Sequence, residues 1–215
     1  MNIGLTEGIF YVAVLIMSVV IHEVAHGYSA YLLGDDTAKL QGRLTLNPLK
    51  HLDPFGSVVL PLLLVLTNSG FIIGWAKPVP YNPRNLKKGR RDDFIVSISG
   101  IAANLMIALI FGLILRFLPL LGLPLGAESL VAFVQIASII VITNLVLALF
   151  NLIPISPLDG SKVLFSILPA RLRYIENFME KWGLYMLIFF IVFVWQYVSP
   201  LIYFAFKIIT GINLV

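Results

Sequence analysis

Two histidines four positions apart, with a glutamate after the first, stand in His22-Glu23-Val24-Ala25-His26. On a helix, positions i and i+4 share a face, so both imidazoles can grip one metal ion. Glu23 points to the side of that pair, close enough to act on a water at the metal. Two imidazole ligands and a carboxylate base make half of a zinc-hydrolase site. The plainer alternative is a polar contact between helices, with Glu23 paired to a basic residue. No residue from Ile9 to Ile21 carries a charge. Ionisable groups entering so apolar a helix are costly unless they have a function or a partner.

A catalytic zinc usually takes three protein ligands and leaves a fourth position for water. The chain has no cysteine, which removes thiolate ligands, disulfides and cysteine nucleophiles. His51 and the acids remain. Most acids lie beside basic residues or at helix ends, where solvation explains them. Asp159 differs, because it closes Asn151-Leu152-Ile153-Pro154-Ile155-Ser156-Pro157-Leu158-Asp159-Gly160 at the end of an apolar span. The two prolines forbid regular helix there. Irregular backbone at membrane depth is tolerated only beside protein or a water-filled cavity. The alternative reading of Asp159 is as the cap of the helix that begins at Gly160. Glu128, Glu176 and Glu180 are rival third ligands for a zinc protease facing solvent. Glu128 falls at the opposite end of the spans, and the other two lie in a charged amphipathic run. His51 either lines the site or is an interfacial loop histidine. Asn151 is a candidate amide donor to a developing oxyanion, with a helix-end hydrogen bond as its alternative. Asn104 and Asn144 sit mid-helix and read as interhelical hydrogen-bonding residues.

These side chains need elements to carry them, and composition says what kind. Of 215 residues, 59% are hydrophobic and 12% charged, and the mean hydropathy is +0.95. Soluble domains are far more polar, so a multi-pass membrane protein is expected, with no room for a sizeable soluble domain. Core helices are expected over 7–33, 94–118 and 129–153, with C-terminal helices over 160–213. Residues 183–213, interrupted by Pro200, read either as one kinked span or as two short passes. Gly42-Arg43-Leu44-Thr45-Leu46 alternates in the manner of a strand, so a short membrane-associated strand or hairpin is expected near 40–48. Neither a removable signal peptide nor an internal repeat is expected. The whole reads as one integral membrane domain, 1–215.

The chain is basic, with a pI near 9.4, but its cations fall between apolar segments, which speaks for membrane topology and against nucleic acid. Lys39, Arg43 and Lys50 follow the first span. Lys77, Arg84, Lys87, Lys88, Arg90 and Arg91 precede the second. Lys162, Arg171, Arg173 and Lys181 follow the third. These are 13 of the 15 Lys and Arg residues, and the positive-inside rule puts all three groups in the cytosol. Segment 55–75, flanked by two such groups, is then expected to be re-entrant or interfacial. At ~1.5 Å per residue His22 lies ~20 Å along the first helix, inside a ~30 Å hydrocarbon core and toward its cytosolic side. Asp159 falls at the same depth.

HExxH in a first core helix, followed by N-x-x-P-x-x-P-L-D-G at the end of a later one, resembles the site-2 protease family of intramembrane zinc metalloproteases. Ser99-Gly100-Ile101-Ala102-Ala103-Asn104 is similar to that family's entry into the middle core helix, although Ile101 stands where proline is common. The resemblance implies a three-helix core, one Zn2+ on His22, His26 and Asp159, and Glu23 as general base. It implies a compact member without PDZ or CBS domains, resident in the cell membrane. Its substrate would be a transmembrane protein, cleaved within or near the bilayer as in regulated intramembrane proteolysis. Residues 40–48 would hold the unwound segment by strand addition. The alternative from another class is a non-proteolytic zinc-binding protein, a permease or metal sensor. A permease needs polar ligands along a full path, and the outer half of these helices offers almost none.

Overall fold

The computed structural model describes residues 5–59, 63, 66, 67, 76–120 and 126–213. Its regular elements are helical: α1 (Leu5–Leu32), a one-turn α2 (Thr37–Leu40), α3 (Arg90–Phe117), α4 (Ala127–Asn151), α5 (Asp159–Ile167), α6 (Arg173–Phe189) and α7 (Trp195–Thr210). Four stretches among the described residues are long and apolar enough to cross a membrane: Phe10–Leu32, Arg90–Leu120, Ala127–Asn151 and Arg173–Thr210. The three core helices expected from sequence are all present, with ends shifted by one to four residues. Much of their apolar surface faces outward, including Phe10, Val12, Met106, Ile110 and Val131, as expected of a protein solvated by lipid rather than water.

α3 is the hub and packs against α1, α4, α5 and α7. One core joins Ala108 and Leu115 of α3, Ala137, Val141 and Leu145 of α4, and Ile202 and Phe206 of α7. A second, smaller core places Ala30 of α1 beside Val96 of α3, with Leu86 and Tyr81 from the chain just before α3. Cross-helix contacts give the directions. His26 meets Val96 and Ser18 meets Asn104, so α1 and α3 are antiparallel. α4 brings Asn144 to the level of Ser18 and then ends on the side of His22 and Asp159.

The C-terminal stretch is a continuous helical run. Residues Phe190–Val194 form a π-helical turn between α6 and α7. Pro200 lies inside α7 and has no N–H to offer Gln196 O; the hydroxyl of Ser199 donates to that carbonyl instead. The full run of 38 residues spans ~57 Å, longer than one straight crossing.

The strand expected near 40–48 is not there. Gly42, at φ +62°, ends α2 in the left-handed conformation that glycine adopts without strain. Gly42 N–H donates to Lys39 O and Arg43 N–H to Ala38 O, the paired bonds of a Schellman cap. Thr45 O accepts from the His51 ring, and Pro48–Lys50 forms a 3-10 turn. A strand needs a partner for its ladder, and here helix capping and a histidine take those backbone groups. No strand occurs among the described residues. With it goes strand addition by 40–48.

The re-entrant path expected over 55–75 lies largely outside the described residues and is not shown. Pro54–Val59 is a π-helical turn. The flanks of the segment do meet: Lys77 N–H donates to His51 O, and Asn82 N–H to Asp35. Arg90 donates to Leu168 O, which ties the start of α3 to the turn after α5. The three basic groups therefore gather at one end of the bundle, and Arg116, bonded to Ile208 O, lies toward the other.

Candidate metal centre

His22 and His26 lie one turn apart on α1, and Asp159 is the first residue of α5. Pro154 and Pro157 lie where the chain turns between α4 and α5, and α5 packs on α3 with its first residue at the α1 histidines. The three side chains converge. His22 Nε2 and His26 Nε2 are 3.0 Å apart, and each is 2.9 Å from Asp159 Oδ2. All three residues are buried. They form a group of the kind that holds a metal ion.

The far side of each imidazole fixes its tautomer. His26 Nδ1 is 2.7 Å from Val96 O, a backbone carbonyl that can only accept, so Nδ1 carries the proton. His22 Nδ1 faces Asn104 Oδ1 at 2.6 Å. That amide is itself oriented, because Asn104 Nδ2 donates to Ser18 O and to Asn144 Oδ1. Asn144 Nδ2 in turn donates to Ile140 O and Ser18 Oγ. Two carbonyls, Ser18 O and Ile140 O, thus set both amides, and His22 also carries its proton on Nδ1.

In the neutral imidazoles each Nε2 then presents a lone pair, and Asp159 Oδ2 is a carboxylate oxygen. Three acceptors within 3.0 Å of one another, with no donor among them, repel unless a cation lies between them. An ion at zinc-like bond lengths sets its tetrahedral ligands about 3.3 Å apart, and the observed spacing falls slightly short of that. Donor type and donor count fit zinc.

α3 leaves room for this only because position 100 is glycine. A Cβ there would stand 2.4 Å from His26 Nε2 and 2.7 Å from His22 Cε1. Lys162, one turn along α5, reaches Asp159 Oδ1 at 3.4 Å and is half exposed. It satisfies the oxygen turned away from the histidines.

Glu23 lies beside the cluster, half-buried, and Oε2 accepts from Val79 N–H at 2.7 Å. Asn151 donates to Leu147 O in its own helix, the helix-end hydrogen bond that was its alternative role. His51 is buried outside the cluster, where its ring binds Thr45 O. Asn104 and Asn144 do bond across helices, as their mid-helix positions suggest, and they extend the His22 site into α4. Sequence reasoning missed Lys162 and the Val79 amide. Lys162 was signalled by its i,i+3 spacing from Asp159; a backbone donor from a distant loop leaves no such mark.

Residues 121–194 match the profile of peptidase family M50. The chain is 44% identical over 192 residues to the "Putative zinc metalloprotease YwhC" of Bacillus subtilis, covering 89% of this chain and 81% of that one. The chain belongs to the site-2 protease family. It is also 30% identical over 177 residues to the "Putative zinc metalloprotease Rip2" of Mycolicibacterium smegmatis, covering 81% of this chain and 63% of that one. The Rip2 of Mycobacterium tuberculosis is 28% identical over 147 residues, covering 67% of this chain and 52% of that one. No solved structure matches the chain. As a site-2 protease with several apolar helices, the protein is a metalloprotease of multi-pass membrane type.

Proposed function

We propose that this site-2 protease hydrolyses peptide bonds within or near transmembrane segments of membrane-protein substrates, at a single zinc held by His22, His26 and Asp159. The observation that carries the reading is the acceptor-only cluster, buried where α1, α3 and α5 meet inside a bundle of membrane-length helices. Zinc there would supply Lewis acidity, activating water and polarising the scissile carbonyl. His22 and His26 offer Nε2 because Asn104 and Val96 O hold their Nδ1 protons. Asp159 offers Oδ2, and Lys162 balances its second oxygen. Glu23 takes the proton of the attacking water on a carboxylate oxygen and delivers it to the leaving amine. Burial of the three ligands keeps bulk water from the reacting carbonyl, which strengthens each electrostatic contact. The basic end of the bundle is assigned to the cytosol by the positive-inside rule, so the site opens toward the cytosolic half of the cell membrane.

The test separates metal binding from proton transfer. Glu23→Gln should keep one zinc per chain and lose proteolysis of a single-span substrate. Asp159→Ala should lose both. Normal cleavage by Glu23→Gln would remove the base role, and full zinc retention by Asp159→Ala would remove the third ligand.

A further inference from the structure

Residues 76–82, Ala-Lys-Pro-Val-Pro-Tyr-Asn, carry no regular secondary structure, yet Lys77, Pro78, Val79 and Asn82 are each held through a backbone group. Lys77 N–H donates to His51 O at 2.8 Å. The Arg43 guanidinium donates to Lys77 O at 2.7 Å and to Pro78 O at 3.2 Å. Val79 N–H donates to Glu23, and Asn82 N–H donates to Asp35 Oδ2 at 2.7 Å. Pro78 and Pro80 have no N–H and stiffen the segment, so Val79 presents a lone amide between two imino residues. We propose that this strap positions Glu23 for catalysis through the Val79 amide, and that Arg43 and Asp35 are the residues that set the strap.

The anchors are built for the task. Asp35 is fully buried and also accepts from Thr37 and from the Asn85 amide. Burial disfavours its charge, but the hydrogen bonds from Thr37, Asn82 and Asn85 outweigh that and hold its carboxyl below the usual range. Arg43 is buried as well. Packing presses the strap onto α1: a Cβ at Gly27 would meet Val79 Cγ1 at 2.5 Å and Leu44 Cδ2 at 2.8 Å. Gly27 stands one turn beyond Glu23, so the strap sits directly over the helix face that carries the base. A glutamate has three rotatable bonds, and one charge-assisted hydrogen bond of 2.7 Å to a clamped amide selects its placement. Misplacing a reacting group by about 1 Å can cost ~100-fold in rate.

The proposal rests on Glu23 as general base, and the experiment keeps the two apart. Zinc per chain, kcat and KM are measured for purified full-length protein, with a model single-span substrate whose helix is broken by a central Gly-Pro pair. Val79→Pro deletes the amide, and Arg43→Ala frees two strap carbonyls. Both should keep one zinc per chain and lose ~10- to 100-fold in kcat with little change in KM. Arg43→Lys, which can still donate to a carbonyl, should recover most of the loss. Hydrogen exchange should be faster across 76–82 in Glu23→Ala than in wild type, because the contact is mutual. Wild-type kcat in zinc-loaded Val79→Pro overturns the proposal. If Val79→Pro fails to fold, the Arg43 pair decides, and a loss in KM alone overturns it. A dead Glu23→Gln beside fully active Val79→Pro and Arg43→Ala sinks the strap and spares the base. An active Glu23→Gln sinks both.

Discussion

Gly100→Ala sets two effects of opposite sign against each other. Within α3, replacing glycine by alanine favours the helix by about 1 kcal/mol. At the metal centre the same methyl stands 2.4 Å from His26 Nε2 and 2.8 Å from His22 Nδ1. Ordinary contact lies near ~3.5 Å, so an imidazole must retreat by roughly 1 Å. Neither ring can do so freely, since His22 Nδ1 is held by Asn104 at 2.6 Å and His26 Nδ1 by Val96 O at 2.7 Å. Metal ligands tolerate about ±0.2 Å. The displacement is several times that, and a loss of at least ~100-fold in zinc affinity is expected, equivalent to ~2.7 kcal/mol. The assay is zinc titration against a competing chelator, with melting curves of metal-free and zinc-loaded protein. Metal-free Gly100→Ala should melt within a few degrees of wild type, because helix propensity offsets the local crowding. Zinc should raise the melting temperature of wild type and leave the variant almost unmoved. Wild-type affinity in Gly100→Ala would refute the reasoning, because a metal at the point where the three atoms converge cannot ignore that methyl.

Asn144→Leu removes the amide that orients Asn104 while leaving every direct ligand in place. It should weaken zinc binding about tenfold, at the low end of the effects known for residues behind metal ligands, as measured by the same titration. Asn104→Leu should cost more, because it strips the Nδ1 partner from His22 itself. For topology, cysteines introduced at Lys50 and Lys87 should label from one face of a sealed membrane. Labelling from opposite faces would contradict both the contact between Lys77 and His51 and a return of segment 55–75 to the side it left.

The convergence of His22, His26 and Asp159 was legible because a metal-binding cluster constrains sequence locally. His22 and His26 share a helix face by their i,i+4 spacing, and they follow directly on an uncharged apolar run, Ile9–Ile21, where ionisable groups need a function or a partner. Asp159 was legible for a different reason. Pro154 and Pro157 mark broken helix at the end of an apolar span, where a carboxylate needs a partner at depth. The helices were legible by length and hydropathy alone. The misread strand at 40–48 shows the limit of alternation as a signal. Gly42-Arg43-Leu44-Thr45-Leu46 alternates, but five residues fit a capped turn equally well, and what decides is whether a partner strand exists. Here Ala38 O, Lys39 O and the His51 ring claim the backbone groups that a ladder would have used.

The strap and the amide network escaped the sequence because their working groups are carbonyls and N–H groups, which every residue has. Val79 matters through its nitrogen, Val96 and Ser18 through their carbonyl oxygens. What sequence can register is the residue types that make such a group available. Pro78 and Pro80 isolate one N–H. Gly27 and Gly100 let the backbone or a ring come close. Arg43 and Asp35 have charges too buried to be solvated, so protein groups must satisfy them: main-chain carbonyls for Arg43, and the Asn82 N–H with the Thr37 and Asn85 side chains for Asp35. Each of these residues looks unremarkable alone, and all lie in stretches that composition assigns to loops or lipid-facing helix. Their common feature is physical. The protein places few charges inside the membrane-length bundle. Asp159 is paired with the Lys162 side chain, and Glu23 and the histidines are oriented by backbone dipoles or amides, which need no counter-ion and do not titrate. On that logic His22, His26, Glu23 and Asp35 are each fixed by at least one backbone group or an amide chain ending on one. Substitutions that free those dipoles should therefore disturb function at constant charge, which is why Val79→Pro and Asn144→Leu discriminate better than charge reversals would.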